Sequence, residues 1–266
     1  MPLPKRVTIE LSNRCNRTCQ GCPRLKSIYP QGDMNPSLFT KIIGQLPNET
    51  IVVPFFRGES LLHPHFAMFM RQLSRFKQVQ LATNGDYLEP KNQTAILTSC
   101  TFLSVSLHSF TMPWQLESAK FLRIAGKRGL ETQVSILEGL VPEKRKKQFI
   151  REWQKHVDRV RLYREHSIRG FGDMEGVEKP HGACKKPFEE MTVYWDGKIG
   201  LCNHDWNNLT ELGDLNGCGV EEVWRGCNYL AVRKLHESGK RNAVNSCVDC
   251  CFVNEMYGEL YVANSQ

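Results

Sequence analysis

The sequence predicts an α/β fold with a largely parallel sheet, followed by a smaller C-terminal unit, and three observations predict it. Short β-rich runs alternate with stretches of helical spacing, about six times, as far as residue 163. From Arg169 to Gly182 the alternation gives way to four glycines, a proline and mixed charges. Beyond that, Thr192 to Trp195 and Lys198 to Cys202 flank Asp196-Gly197, a pair that supplies the positive φ angles of a tight hairpin turn. The chain is therefore divided into residues 1–168 and 169–266.

The predicted strands are Val7 to Leu11, Ile51 to Phe56, Val79 to Ala82, Phe102 to Leu107, Glu131 to Ile136 and Arg159 to Tyr163. Helices fill the intervals. The first begins at Pro36, capped by Asn35, with Leu38, Ile42, Ile43 and Leu46 on one face. Phe66, Phe69, Met70 and Leu73 line a second helix, and Phe149, Ile150 and Trp153 a later one. Two short helices, around Val220 to Arg225 and Leu230 to Glu237, follow the hairpin. There is no internal repeat.

A chain of 266 residues can bury a full core. With 41% hydrophobic and 24% charged residues, and no apolar run long enough to cross a bilayer, it reads as a soluble globular protein. The N-terminus lacks the apolar core and small-residue cleavage site of a secretory signal, so a cytoplasmic location is expected. The Asn-x-Thr triplets at Asn16, Asn48, Asn92 and Asn208 are then chance. The 35 Lys and Arg exceed the 28 Asp and Glu by seven, and much of the excess lies between Lys144 and Arg164. A solvated helix face accounts for that run, with an anionic partner as the alternative. No nucleic-acid motif or aromatic-interleaved basic stripe accompanies it, so neither nucleic acid nor membrane is an expected partner.

Eleven cysteines in a cytosolic chain point to metal or redox use, because that compartment keeps thiols reduced. Cys15, Cys19 and Cys22 form C-x3-C-x2-C directly after the first strand, at the carboxyl end where α/β folds gather their active sites. Three thiolates can hold three irons of a [4Fe-4S] cubane and leave the fourth iron open to a ligand. A structural zinc site is the competing reading, but it wants a fourth protein ligand that is missing locally. Cys184, Cys202, Cys247 and Cys250 form a second, closed set of four thiolates, which chemistry alone allows to be zinc or iron–sulfur.

The cysteine loop resembles that of the radical S-adenosylmethionine (SAM) superfamily. So do Phe56-Arg57-Gly58-Glu59-Ser60 after strand two, Thr83-Asn84-Gly85-Asp86 after strand three and Ser104 to His108 closing strand four. The resemblance implies a partial (β/α)6 radical SAM barrel in which the open iron chelates SAM, and reduction releases a 5′-deoxyadenosyl radical. It further implies that Gly58 permits close approach, that Glu59 accepts from the SAM ammonium and that Asn84 and Ser106 bind its ribose or carboxylate oxygens. Arg57 stands where the family has a first glycine. The alternatives are an ordinary turn for Asn84-Gly85, a backbone-bonded buried serine for Ser106 and a structural role for His108.

The segment from Cys184 through Asp196-Gly-Lys-Ile-Gly-Leu-Cys202 resembles the twitch domain, a shortened SPASM domain that binds an auxiliary [4Fe-4S] cluster. Two clusters and SAM are thus the implied cofactors. Within the superfamily the chain is similar to compact barrel-plus-twitch dehydrogenases, which implies hydrogen abstraction from a sugar or aminocyclitol and oxidation of alcohol to ketone. A flavodoxin or ferredoxin would be the electron donor. Arg169 matches an arginine that would bind a substrate hydroxyl. Asn203-His204-Asp205, where such relatives carry an aromatic residue, would line the substrate pocket. Cys251 is unassigned, as are Cys100, Cys218 and Cys227, and small buried residues are the default. A thiol at Cys251 could instead return hydrogen to a substrate radical, which would make the enzyme an epimerase. Peptide modification and a zinc-binding interaction module complete the alternatives.

Overall fold

The computed structural model describes residues 1–19, 22–111, 116–163, 183–248, 250 and 259–262. Strands β1 (Arg6–Ile9), β2 (Ile51–Val53), β3 (Gln78–Thr83), β4 (Phe102–Ser106), β5 (Glu131–Leu137) and β6 (Arg159–Tyr163) pair in parallel in sequence order. Helices α1 (Pro36–Gly44), α2 (Phe66–Leu73), α3 (Pro90–Ser99), α4 (Leu116–Lys127) and α5 (Lys146–Trp153) make the crossovers. All six predicted strands form. The second ends at Val53 instead of Phe56, because Pro54 has no N–H with which to extend a ladder.

Along these strands the side-chain period of two separates two environments. Leu81, Val105, Val134, Ile136, Val160 and Leu162 enter one core with the helices. On α1 and α2 the predicted stripes do this packing, with Phe39 and Phe69 ring centres 4.2 Å apart. Asn35 caps α1 as expected, its side-chain oxygen accepting from Ser37 N at 2.9 Å. In the middle of β4 to β6 the alternate residues are Ser104, Gln133, Ser135 and Arg161, with Ser106 at the end of β4. Gln133 Nε2 donates to Ser104 Oγ at 3.1 Å, so this face is polar by construction.

The C-terminal segment contributes α6 (Lys186–Glu189), β7 (Glu190–Val193), β8 (Lys198–Gly200), β9 (Gly213–Asp214), α7 (Val220–Arg225), α8 (Cys227–Glu237) and β10 (Glu259–Val262). The Asp196-Gly197 turn is present, with φ of Gly197 at +89°. The hairpin is not a separate sheet: β7 pairs in parallel with β1, and β8 and β9 extend the same sheet antiparallel. At the far edge β10 adds antiparallel to β6. The resulting order is β10-β6-β5-β4-β3-β2-β1-β7-β8-β9. The proposed boundary at 168–169 lies outside the described residues. Among the described residues no helix is long and apolar enough to cross a membrane.

Where β1 and β2 end, one buried ion pair fastens the two halves together. Arg57 Nε and Nη2 donate to the two oxygens of Glu10 at 2.7 and 2.5 Å, and both side chains are essentially inaccessible. Arg57 Nη1 donates to the Trp206 carbonyl at 2.6 Å, and Trp195 N donates to Glu10 at 3.3 Å. The guanidinium lies 4.3 Å from the ring centres of both Tyr29 and Tyr194, which stack on each other. The expected cost of Arg57→Ala is about 3–5 kcal/mol of unfolding free energy in urea titrations, because it strands a buried carboxylate. Replacing both charges, Glu10→Leu with Arg57→Met, should cost less than the single substitution.

Candidate active site

The loop holding Cys15, Cys19 and Cys22 leaves β1 at its carboxyl end, and the ends of β2, β3 and β4 surround it. Its base is fixed by close backbone contact. Glu59 N donates to Arg14 O at 2.8 Å. A Cβ on Gly58 would lie 2.5 Å from Arg14 O and 2.7 Å from Asn13 C, so only glycine lets β2 reach the loop here. The three thiols are half-buried, and burial pushes those of Cys15 and Cys19 up from their ordinary range. Three thiols on one short, accessible loop with no fourth cysteine near them in sequence suit a cluster with one open iron.

Glu59 is buried and its carboxylate joins two strand ends: Oε1 accepts from Leu61 N at 3.0 Å and Thr83 Oγ1 at 2.9 Å, and Oε2 from Asn84 N at 2.7 Å. Desolvation pushes this carboxyl above its usual range in spite of the three donors. Asn84 Nδ2 donates to Asn16 Oδ1 at 2.8 Å and lies 3.9 Å from Cys15 Sγ. The Asn84-Gly85 pair is also a turn, with Gly85 at φ +81° and Asp86 N donating to Asn84 Oδ1. Asp86 then grips the loop, accepting from Asn16 Nδ2 and Arg17 Nε at 2.6 Å.

Ser106 is half-buried, and its hydroxyl lies 3.4 Å from that of Ser135, a side-chain partner where the structural alternative would have had backbone. His108 reaches the cysteine loop. Its Nδ1 is 3.2 Å from Cys19 Sγ, and its buried Nε2 has no hydrogen-bond partner. A lone histidine two residues past a strand carries no pattern that reveals this contact.

The second cysteine set converges on one cavity. Cys184 precedes α6, Cys202 follows β8, Cys247 ends a 3-10 turn, and Cys250 follows it; all four line the cavity with Lys186 and His236. Burial pushes the Cys247 thiol up to about 12, with Cys250 adding to the effect, and pushes Cys202 well above its ordinary value. Four thiolates there are tolerable only with bound cationic charge, which a metal centre supplies. Four cysteine sulfurs lining one cavity are a donor set that fits a [4Fe-4S] cluster, with zinc as the other thiolate-bound centre.

Asp205 is buried and organises this region. Its carboxylate accepts from Leu209 N at 2.7 Å and Thr210 N at 3.1 Å. Leu209 O and Thr210 Oγ1 in turn hold Asn245 and Ser246, next to Cys247. His236 accepts at Nδ1 from Cys184 N at 3.2 Å, and desolvation together with Arg241 holds its pKa down to about 4. Arg169 and Cys251 lie outside the described residues.

The SPASM family, described as an iron-sulfur cluster-binding domain, matches residues 184–251, which contain the whole quartet. The chain is 24% identical, over 96% of its length and 96% of the relative's, to an S-adenosyl-L-methionine-dependent 2-deoxy-scyllo-inosamine dehydrogenase from Niallia circulans. Its fold superposes on BtrN in complex with AdoMet and 2-DOIA with a TM-score of 0.71 at 19% identity, covering 98% of this chain and 99% of that one. It also superposes on Streptococcus suis SuiB bound to S-adenosylmethionine, at TM-score 0.67 and 12% identity over 88% of this chain and 68% of that one. The α/β fold is thus that of these enzymes.

Gly58→Ala tests the contact under the loop. The added methyl meets backbone that cannot yield locally, so the Cys15 to Cys22 loop must shift. Iron analysis after anaerobic reconstitution should show less iron per chain than in the unsubstituted protein, while an unchanged iron content would mean the loop tolerates the methyl.

Proposed function

We propose, for a chain with the radical SAM fold and a SPASM-type C-terminal domain, that it oxidises an alcohol of a small polyhydroxylated molecule, a sugar or aminocyclitol, to the ketone. The observation that carries this reading is the presence on one sheet of two distinct cysteine sets, an accessible loop of three and an enclosed ring of four. With SAM and both [4Fe-4S] clusters bound, one electron delivered to the loop cluster would supply a 5′-deoxyadenosyl radical, and the ring cluster, still oxidised, would accept the electron the substrate gives up. Oxidation of an alcohol to a ketone removes one hydrogen atom, one proton and one electron, so both centres have a task.

The residues of the barrel mouth divide the remaining work. Cys15, Cys19 and Cys22 hold the first cluster, and Cys184, Cys202, Cys247 and Cys250 the second. A carboxylate offers about four acceptor sites. Glu59 uses three, leaving one on Oε2 for the SAM ammonium. Gly58 keeps the loop in reach, while Asn84 and Ser106 offer polar groups at neighbouring strand ends. Arg169 is assigned to a substrate hydroxyl and not to proton removal, since a guanidinium stays protonated below about pH 12. A cytoplasmic setting, which keeps thiols reduced, suits the half-buried loop cysteines, and a flavodoxin or ferredoxin is the proposed electron donor.

The alternative, epimerisation, is favoured by the place of Cys251 in the chain, one residue past Cys250 at the ring. Two measurements test the proposal. Anaerobically reconstituted protein should hold about eight irons per chain with matching labile sulfide; zinc without sulfide would sink the reading. Turnover of candidate polyols in deuterated water should give ketone with no deuterium on the reacting carbon, whereas carbon-bound deuterium in an unoxidised product would establish epimerisation instead.

A further inference from the structure

We infer that His236 is a positioning residue for the C-terminal cluster, donating its Nε2–H to Cys247 Sγ and thereby making that centre easier to reduce. The inference rests on the quartet holding an iron–sulfur cluster, as proposed above.

The geometry fixes the donor. His236 sits on α8 with its ring between Cys184 and Cys247, and is 1% exposed. The backbone N–H of Cys184 donates to Nδ1 at 3.2 Å. A ring nitrogen that accepts carries no proton, so in this geometry the imidazole proton resides on Nε2. Nε2 lies 3.7 Å from Cys247 Sγ, within reach of an N–H to sulfur hydrogen bond. The Phe188 ring packs edge-on against the imidazole, 6.5 Å between centres, and limits its freedom to turn away. Cys202 Sγ also receives a hydrogen bond, from His204 N at 3.4 Å, but that donor is backbone and survives any substitution. His236 is a side-chain donor, and so can be removed.

The consequence follows from charge. A reduced cluster carries one more negative charge than an oxidised one, and part of it resides on the ligating sulfurs. A fixed N–H dipole aimed at such a sulfur stabilises the reduced state more, and raises the potential. An acceptor for a substrate-derived electron gains from that shift. The same histidine also anchors Cys184 through its backbone, so one side chain ties together two of the four ligands, which come from segments 63 positions apart in sequence (247 minus 184).

The test uses full-length protein with Cys15→Ala, Cys19→Ala and Cys22→Ala, which leaves the quartet as the single cluster site. Its midpoint potential is read by an electron paramagnetic resonance redox titration. Adding His236→Phe should weaken reduction about tenfold, a fall of about 59 mV for a one-electron couple. His236→Gln, which can present an N–H from nearly the same place, should recover most of the shift. An unchanged potential in a fully loaded His236→Phe protein would overturn the inference while leaving the cluster in place. If that variant fails to load, pulsed resonance of the His236 protein carrying His204→Ala and grown with [15N]histidine decides, since residue 204 then brings no labelled nitrogen to the cluster: a weak histidine nitrogen coupling supports the hydrogen bond, and its absence overturns it. A triple-alanine protein that binds no iron and sulfide would overturn the cluster assignment itself.

Discussion

The buried fork between Arg57 and Glu10 is the constraint on which the architecture turns. Neither charge is tolerable alone at that depth, and together they bind the end of β1, the end of β2, the Tyr29 segment beyond the cysteine loop and the Trp206 segment of the C-terminal region. Four stretches far apart in sequence are thereby held at one point. Gly58 is the next residue, pressed on the backbone below Cys15, and Glu59 after it fixes the end of β3. A tripeptide thus spends its first residue on architecture, its second on clearance and its third on placing Asn84 beside the loop.

This gives physical content to a departure visible in the sequence. Where radical SAM enzymes are expected to have glycine, the chain has arginine, and a large cation at such a place would obstruct the mouth unless turned away. Glu10 turns it away, drawing the guanidinium into the wall under Tyr29 and Tyr194. Sequence alone could not pair them, since Glu10 and Arg57 lie 47 positions apart and each reads as an isolated charge next to an apolar run.

Most local structure was legible because it depends on local physics. Strand periodicity, the Asn35 cap and the Asp196-Gly197 turn are decided within a few residues, and all three appear where expected. What escaped depends on partners. Residues 190–193 carry a strand pattern, but nothing in that pattern says the strand lies parallel to β1 instead of pairing only within its own hairpin. Asp205 is a buried acceptor for two backbone amides, a role no spacing in the sequence announces. His236 and His108 are single histidines in helical and strand-end contexts, with no spacing signal, yet each reaches a cysteine sulfur. The cysteines stand out in sequence by their number and spacing, and the four C-terminal ones, spread over 67 positions, line one cavity.

The parallel pairing of β1 with β7 has a consequence for how the chain could be divided. Val7 and Ile9 on β1 are fully buried, and the strand is flanked by β2 on one side and β7 on the other. A fragment ending before β7 would leave the first strand of the barrel as an open edge, apolar and hydrogen-bond hungry, of the kind that recruits foreign strands and aggregates. The segment that carries the cysteine ring is therefore also a guard rail. Its removal would damage solubility, so the two cysteine sets are inseparable as manufactured pieces however far apart they lie in sequence.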